Sequence, residues 1–236
     1  MASSAAAYPV NAFPPEAQAL ARAVVDGKTN RVLDLAKTTP GGINATGAKG
    51  ETALLLAVQK GDTAMVRALL AAGASPNGGP DKSPLHPATR QTNGEMLRLL
   101  LAAKANPNAT YNGESPLFEA ALIGAIPAAK QLLDAGANPN FGQIDDGDSP
   151  ALAASSADKW EMVVFLIDHG ASPWYSPATG ATIASDAYHS RKQSEAREQV
   201  IARFQSFGYP WPPPKPPIVR QMMAEGRWPP AMQPPR

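Results

Sequence analysis

The chain has no cysteine among its 236 residues, which excludes disulfides, thiolate metal ligands and Cys nucleophiles together. Net charge is equally scarce. The 21 basic and 20 acidic residues leave +1, too little to draw in nucleic acid or an anionic lipid surface. No apolar run approaches the ~18 residues that span a bilayer, so no membrane insertion is expected. The opening MASSAAAYPVNAFPP lacks the basic and apolar regions of a secretory leader. The default compartment is the cytoplasm, or the periplasm where a leader has been removed. Catalytic signatures are missing as well: there is no GxSxG or GxGxxG, and GAKGET lacks the Gly-Lys-Ser/Thr ending of a phosphate loop. His169 lies in the last turn before Gly170, where a partly charged imidazole would complement the helix dipole, and His189 has no cysteine or spaced carboxylate to complete a triad or a metal site. These absences predict a chain that is not an enzyme and uses no cofactor, metal or small-molecule substrate.

What the chain does have is a rhythm. Thr52, Ser83, Ser115, Ser149 and Thr182 each open a helix-like segment, and the first four are followed 25 residues later by Asn77, Asn108, Asn140 and Trp174. The distance from each landmark to the next start varies, so a rigid block alternates with an elastic connector, as in stacked-repeat proteins. Ser83, Ser115 and Ser149 can cap helix N-termini, with Pro84, Pro116 and Pro150 at the first helical position, where a missing N–H costs nothing. Gly73, Gly136 and Gly170 stand where a second helix must end in a left-handed conformation. Each unit therefore encodes helix, turn, helix, loop. Runs such as Met65, Val66, Leu69, Leu70 and Met96, Leu97, Leu99, Leu100, Leu101 supply apolar faces that one pair cannot bury alone.

The unit from Ser83 to Asn108 departs from its sisters. Pro87 would remove the first internal hydrogen bond of its helix and crowd the Ser83 carbonyl. Lys104 replaces the left-handed glycine, a substitution that costs on the order of 1 kcal/mol. Its first helix is expected to be delayed or distorted. Ahead of the repeats, Leu20, Val24, Val25, Val32, Leu33 and Leu35 flank a break at Asp26-Gly27 and read as an atypical, capping helix pair. Beyond Thr182, SEAREQVIARFQSFG places Val200, Ile201, Phe204 and Phe207 on one stripe. Glu195, Arg197, Glu198 and Arg203 form a charged side expected to face water. The last segment carries six prolines between 210 and 217, favouring polyproline II, and Ile218 to Glu225 could add two helical turns.

SPLH at Ser83 to His86 resembles the TPLH of the ankyrin repeat, and GASPN and GANPN resemble its GADVN. The resemblance covers roughly Glu16 to Gly208. It implies an all-α ankyrin-repeat solenoid of about six helix pairs with loop or β-hairpin fingers, capped at both ends. The expected divisions are a flexible lead (1–15), a cap (16–46), and repeats at about 47–77, 78–108, 109–140 and 141–174. A closing cap (175–208) and a docked Pro-rich tail (209–236) complete them. His86 then has a structural role, and the function implied is binding of another protein.

In that family the partner usually lies against the loop tips and the inner helix surface. The matching inner-helix pairs here are Val25 and Asp26, Gln59 and Lys60, Arg90 and Gln91, Leu122 and Ile123, and Ser156 and Ala157. Leu122 and Ile123 are the apolar exception. They are a hot-spot candidate if exposed and ordinary packing if not. Tyr111, Phe141, Ile144, Trp174 and Tyr175 would line the same side from the loops, for partner contact or to seal neighbouring fingers. Asp145 and Asp146, in the longest connector, could meet a basic partner or remain solvated turn carboxylates. A calcium loop fits poorly, because position 12 from Asp145 is Ser156 rather than Glu. The chain also looks like compact bacterial ankyrin proteins, some of which act as immunity proteins against a secreted toxin such as a type VI lipase effector. That implies a cognate toxin as partner and inhibition by occlusion; the alternative is an adaptor using the groove and the tail.

Overall fold

The computed structural model describes residues 9–91, 94–142 and 147–230. The chain divides into two compact units, Met1–Asn112 and Gly113–Arg236. Among the described residues the regular structure is helical, and extended pairing is limited to isolated bridges such as Lys82 with Tyr111.

The first unit stacks three pairs: α1 (Pro15–Val25) with α2 (Thr29–Ala36), α3 (Ala53–Lys60) with α4 (Thr63–Ala71), and α5 (Leu85–Thr89) with α6 (Glu95–Ala102). Helices α1, α3 and α5 pack as one inner row and α2, α4 and α6 as the outer. Leu54, Leu55, Leu56, Met65, Leu69, Leu97 and Leu100 are completely buried between them. Each such side chain stabilises the stack by about 1.5–3 kcal/mol, a gain a lone pair would forgo. Ahead of α1, Val10–Ala12 form a short 3-10 turn and Phe13 is buried.

The second unit repeats the scheme with α7 (Pro116–Ile123) and α8 (Ile126–Asp134), α9 (Pro150–Ser156) and α10 (Trp160–Asp168), and α11 (Ile183–His189) and α12 (Glu195–Ser206). Its inner row is α7, α9 and α11. A further helix, α13 (Pro216–Ala224), follows. Trp160, Leu152, Leu166 and Ile183 fill its core.

The helix starts follow their cap residues. The side-chain oxygens of Thr52, Ser115, Ser149 and Thr182 accept from the backbone N–H three residues on, at 3.0–3.2 Å. Pro116 and Pro150 occupy the first turn. Ser83 differs as expected: its hydroxyl accepts from Leu85, only two residues on, at 3.3 Å. One placement is corrected here, since Pro84 is not the first helical residue but precedes a five-residue α5 that starts at Leu85. Pro87 stands where Leu56 of the preceding unit donates its N–H to the Thr52 carbonyl at 3.0 Å. The Ser83 carbonyl instead takes a 3.3 Å bond from His86, so the turn tightens and the helix is cut short.

At the other end, Gly73, Gly136 and Gly170 have φ of 88°, 91° and 94°, and Lys104 is forced to 68°. Lys104 nevertheless keeps the same closing pattern. Its N–H donates to Leu101 O, and that of Ala105 donates to Leu100 O.

Two of the asparagine landmarks, Asn77 and Asn140, and Asn44 ahead of them tie successive loops together. The side-chain oxygens of Asn44, Asn77 and Asn140 accept from the backbone N–H of Ser75, Asn106 and Ser172 at 2.6–2.7 Å. Each bond spans about one repeat and satisfies a loop N–H that water would otherwise have to reach. The charged side of α12 also departs from expectation. Arg197 does not face water but is 8% exposed, with Nε donating to the Ala187 carbonyl at 2.8 Å and so closing the C-terminus of α11.

Candidate partner-binding surface

The C-terminal ends of the inner helices carry the side chains expected to meet a partner, and in the first unit most of them are engaged within the stack. Lys60 Nζ donates to Val25 O at 2.7 Å, and Gln91 Nε2 donates to Val58 O at 2.8 Å. Each thus ties its element to the last turn of the preceding inner helix, where Val58 O also accepts from the Gly61 N–H at 2.9 Å. Gln59 is exposed and donates to the Tyr111 hydroxyl at 3.3 Å. The Tyr111 ring stacks on His86 at 5.1 Å and lies beneath Lys82 Nζ at 4.5 Å. Arg90 is exposed at the end of α5, and Asp26 pairs with Lys28 at 3.1 Å.

The second unit keeps this polar linkage at one step and loses it at another. Ser155 and Ser156, on α9, donate to Asp186 of α11 at 2.6 and 3.0 Å. On α7 the residues matching Ser156 and Ala157 are Leu122 and Ile123, which cannot reach a neighbour with a polar atom and are 40% and 41% exposed. Both are exposed, although more than half of each residue's surface is covered. Tyr188, on α11, is 46% exposed and meets Trp211 edge-on at 5.7 Å. Exposed apolar side chains therefore stand on α7 and α11, on either side of α9.

The loop aromatics divide between surface and packing. Phe141 and Tyr175 are half-buried, and the Phe141 carbonyl accepts from the Ser115 hydroxyl at 2.7 Å. Trp174 is held in an aromatic cluster, edge-on to Phe204 at 5.1 Å and Phe207 at 5.6 Å and stacked on Tyr209 at 5.6 Å. Trp228 closes it by donating from Nε1 to Trp174 O at 2.9 Å. Ile144, Asp145 and Asp146 lie outside the described residues.

Sequence reasoning missed two features of this unit. The first is Asp186, whose carboxyl is pushed above its ordinary value by burial, an effect the Ser155 and Ser156 hydrogen bonds only partly offset. The second is Tyr209. Burial pushes its hydroxyl up to about 12, and that hydroxyl lies beside Thr182 without a well-formed hydrogen bond. Neither has a local signal, because each depends on contacts with a separate stretch of chain. His169 and His189 turn Nδ1 to the carbonyl four residues back, at 2.7 and 2.8 Å, which complements a helix end. No described helix is long and apolar enough to cross a membrane.

The family model for ankyrin repeats (3 copies) matches residues 19–111 and 94–177, together more than half of the chain. The chain belongs to the ankyrin repeat family. Among solved structures, the crystal structure of the human ASB11 ankyrin repeat domain superposes with a TM-score of 0.65 at 25% identity. It covers 84% of this chain and 88% of its own. No match is found among curated protein sequences. Ankyrin repeats are protein–protein interaction modules, and this chain is one. As a family they are generally not enzymes.

Proposed function

We propose that this ankyrin protein binds its partner through the inner-row ends and adjoining loops, with Leu122 and Ile123 as the apolar anchor. One observation carries the reading. Where α3, α5 and α9 end in polar residues that bond to a neighbouring element, α7 ends in two large apolar side chains exposed at its surface. Covering such a side chain contributes about 1.5–3 kcal/mol, enough to dominate an interface. A stacked scaffold also loses little conformational entropy on docking.

The finer reading is an immunity protein that neutralises a secreted toxin by covering its active site or holding a lid closed. The resemblance to compact bacterial ankyrin proteins supports it. The experiment is to recover a toxin encoded next door by pull-down and titrate its activity with the purified chain. Inhibition that is lost in Leu122→Ser/Ile123→Ser supports the reading; full toxin activity in excess protein refutes it. An adaptor using the Pro-rich tail is favoured less, since Val219 and Trp228 of that tail are turned toward the second unit. Deleting residues 210–236 would cost an adaptor one of two partners and leave an inhibitor its only one.

A further inference from the structure

Resting on that reading of the surface, we infer the chemistry of the partner: a segment that presents an aliphatic or aromatic anchor beside Asp or Glu side chains. The residues around the apolar pair set that chemistry. Gly124, next to Ile123, is overlain by the stem of Lys159, whose Cδ would stand 3.1 Å from a Cβ at that glycine. The Lys159 ammonium has no hydrogen bond or ion pair among the described residues. One step along the same edge, Lys192 reaches back to the Asp158 carbonyl at 2.9 Å, and Arg191 beside it is exposed. Three cations thus follow the line of helix turns that begins at Ile123.

The carboxylates on this edge are turned inward. Asp158 accepts from Trp160 Nε1 at 3.2 Å and from the Ser190 hydroxyl at 2.5 Å. Asp186 is taken up by Ser155 and Ser156. An incoming group therefore meets apolar carbon at Leu122 and Ile123 and ammonium and guanidinium donors on the flank, while the acids are already occupied. A basic segment would be repelled by all three and would leave the Lys159 ammonium without a partner among the described residues. An acidic segment with an apolar anchor satisfies both halves of the surface.

The test uses the full chain as bait for selection from a phage-displayed random peptide library, followed by fluorescence anisotropy of the enriched peptides. Enriched peptides should share an apolar anchor within a few residues of Asp or Glu. Leu122→Ser/Ile123→Ser should weaken them by about ten-fold or more. Lys159→Glu should weaken them several-fold, with recovery when the peptide acid is exchanged for Lys. Loss of binding must occur with an unchanged thermal midpoint.

Basic or neutral peptides that still need Leu122 and Ile123 would overturn this inference and leave the inner-row reading standing. Peptides indifferent to Leu122→Ser/Ile123→Ser, or no enrichment at all, would overturn both. Anionic phosphatidylcholine/phosphatidylserine vesicles and a 20-mer DNA duplex serve as further probes. Binding of either that depends on Lys159 and Arg191 but not on Leu122 would assign the cations to a different class of ligand and overturn the proposal.

Discussion

The side-chain oxygen of Asn140 accepts a hydrogen bond from the backbone N–H of Ser172 at 2.7 Å, joining one repeat's loop to the next. Removing it leaves a half-buried donor unsatisfied, which typically costs about 1–3 kcal/mol. Asn140→Ala should therefore lower stability by that amount in urea unfolding. Asn140→Asp, which keeps the acceptor, should lose less. Equal losses would show that the oxygen is not the feature that matters.

Lys104 tests the left-handed helix end. A non-glycine there costs roughly 1–2 kcal/mol, while Gly adds conformational freedom to the unfolded chain. Lys104→Gly should therefore raise stability by no more than about 1 kcal/mol. Gly136 has nothing within 4 Å of an added Cβ, so Gly136→Ala isolates the backbone term and should lower stability by about 1 kcal/mol. Thermal unfolding of both variants checks the pair; a less stable Lys104→Gly would contradict it.

The repeat geometry was legible because its causes are local. A capping hydroxyl and the proline after it, a left-handed glycine, and a proline that cuts short its helix all act within one turn. The loop asparagines were visible as punctuation, but not as acceptors for a backbone group about 30 residues away. The same limit explains the site. Periodicity alone left Leu122 and Ile123 between packing and exposure. It also gave no sign that Lys60 and Gln91 close the preceding helices. Arg197 lies on the polar side of its helix in sequence, yet its reach to the Ala187 carbonyl buries it. Trp174 takes the place of a landmark asparagine because its surroundings are Phe204, Phe207 and Tyr209.

Asp186 gives the fold a pH dependence opposite to that of a salt-bridged carboxylate. Burial raises its pKa above the ordinary 3.8, so the folded chain holds the proton more tightly than the unfolded chain. This contribution to stability is fully present below 3.8 and falls as pH rises through the interval up to the raised value. Asp186→Asn, which keeps an oxygen for the two serines and cannot ionise, should be the more stable chain at pH 7. Its advantage should shrink on acidification. Melting curves at pH 7 and near pH 4 decide it, and a gap that widens at the lower pH would contradict the assignment.

The contact between Trp228 and Trp174 holds the last described segment against the rest of the second unit. Trp228→Phe keeps a ring beside Tyr209 but removes the donor to the Trp174 carbonyl, and should cost about 1 kcal/mol. Deleting residues 210–236 removes the indole and also Val219, which is completely buried, so a further loss of about 1.5–3 kcal/mol is expected. For a chain of this length each kcal/mol corresponds to a fall of roughly 2–4 °C in melting temperature. The truncated chain should therefore melt several degrees below the Trp228→Phe variant. Coincident melting curves for the truncated and full chains would mean that Trp228 and Val219 add nothing to the stack. Trp174 would then owe its position to Phe204, Phe207 and Tyr209 alone.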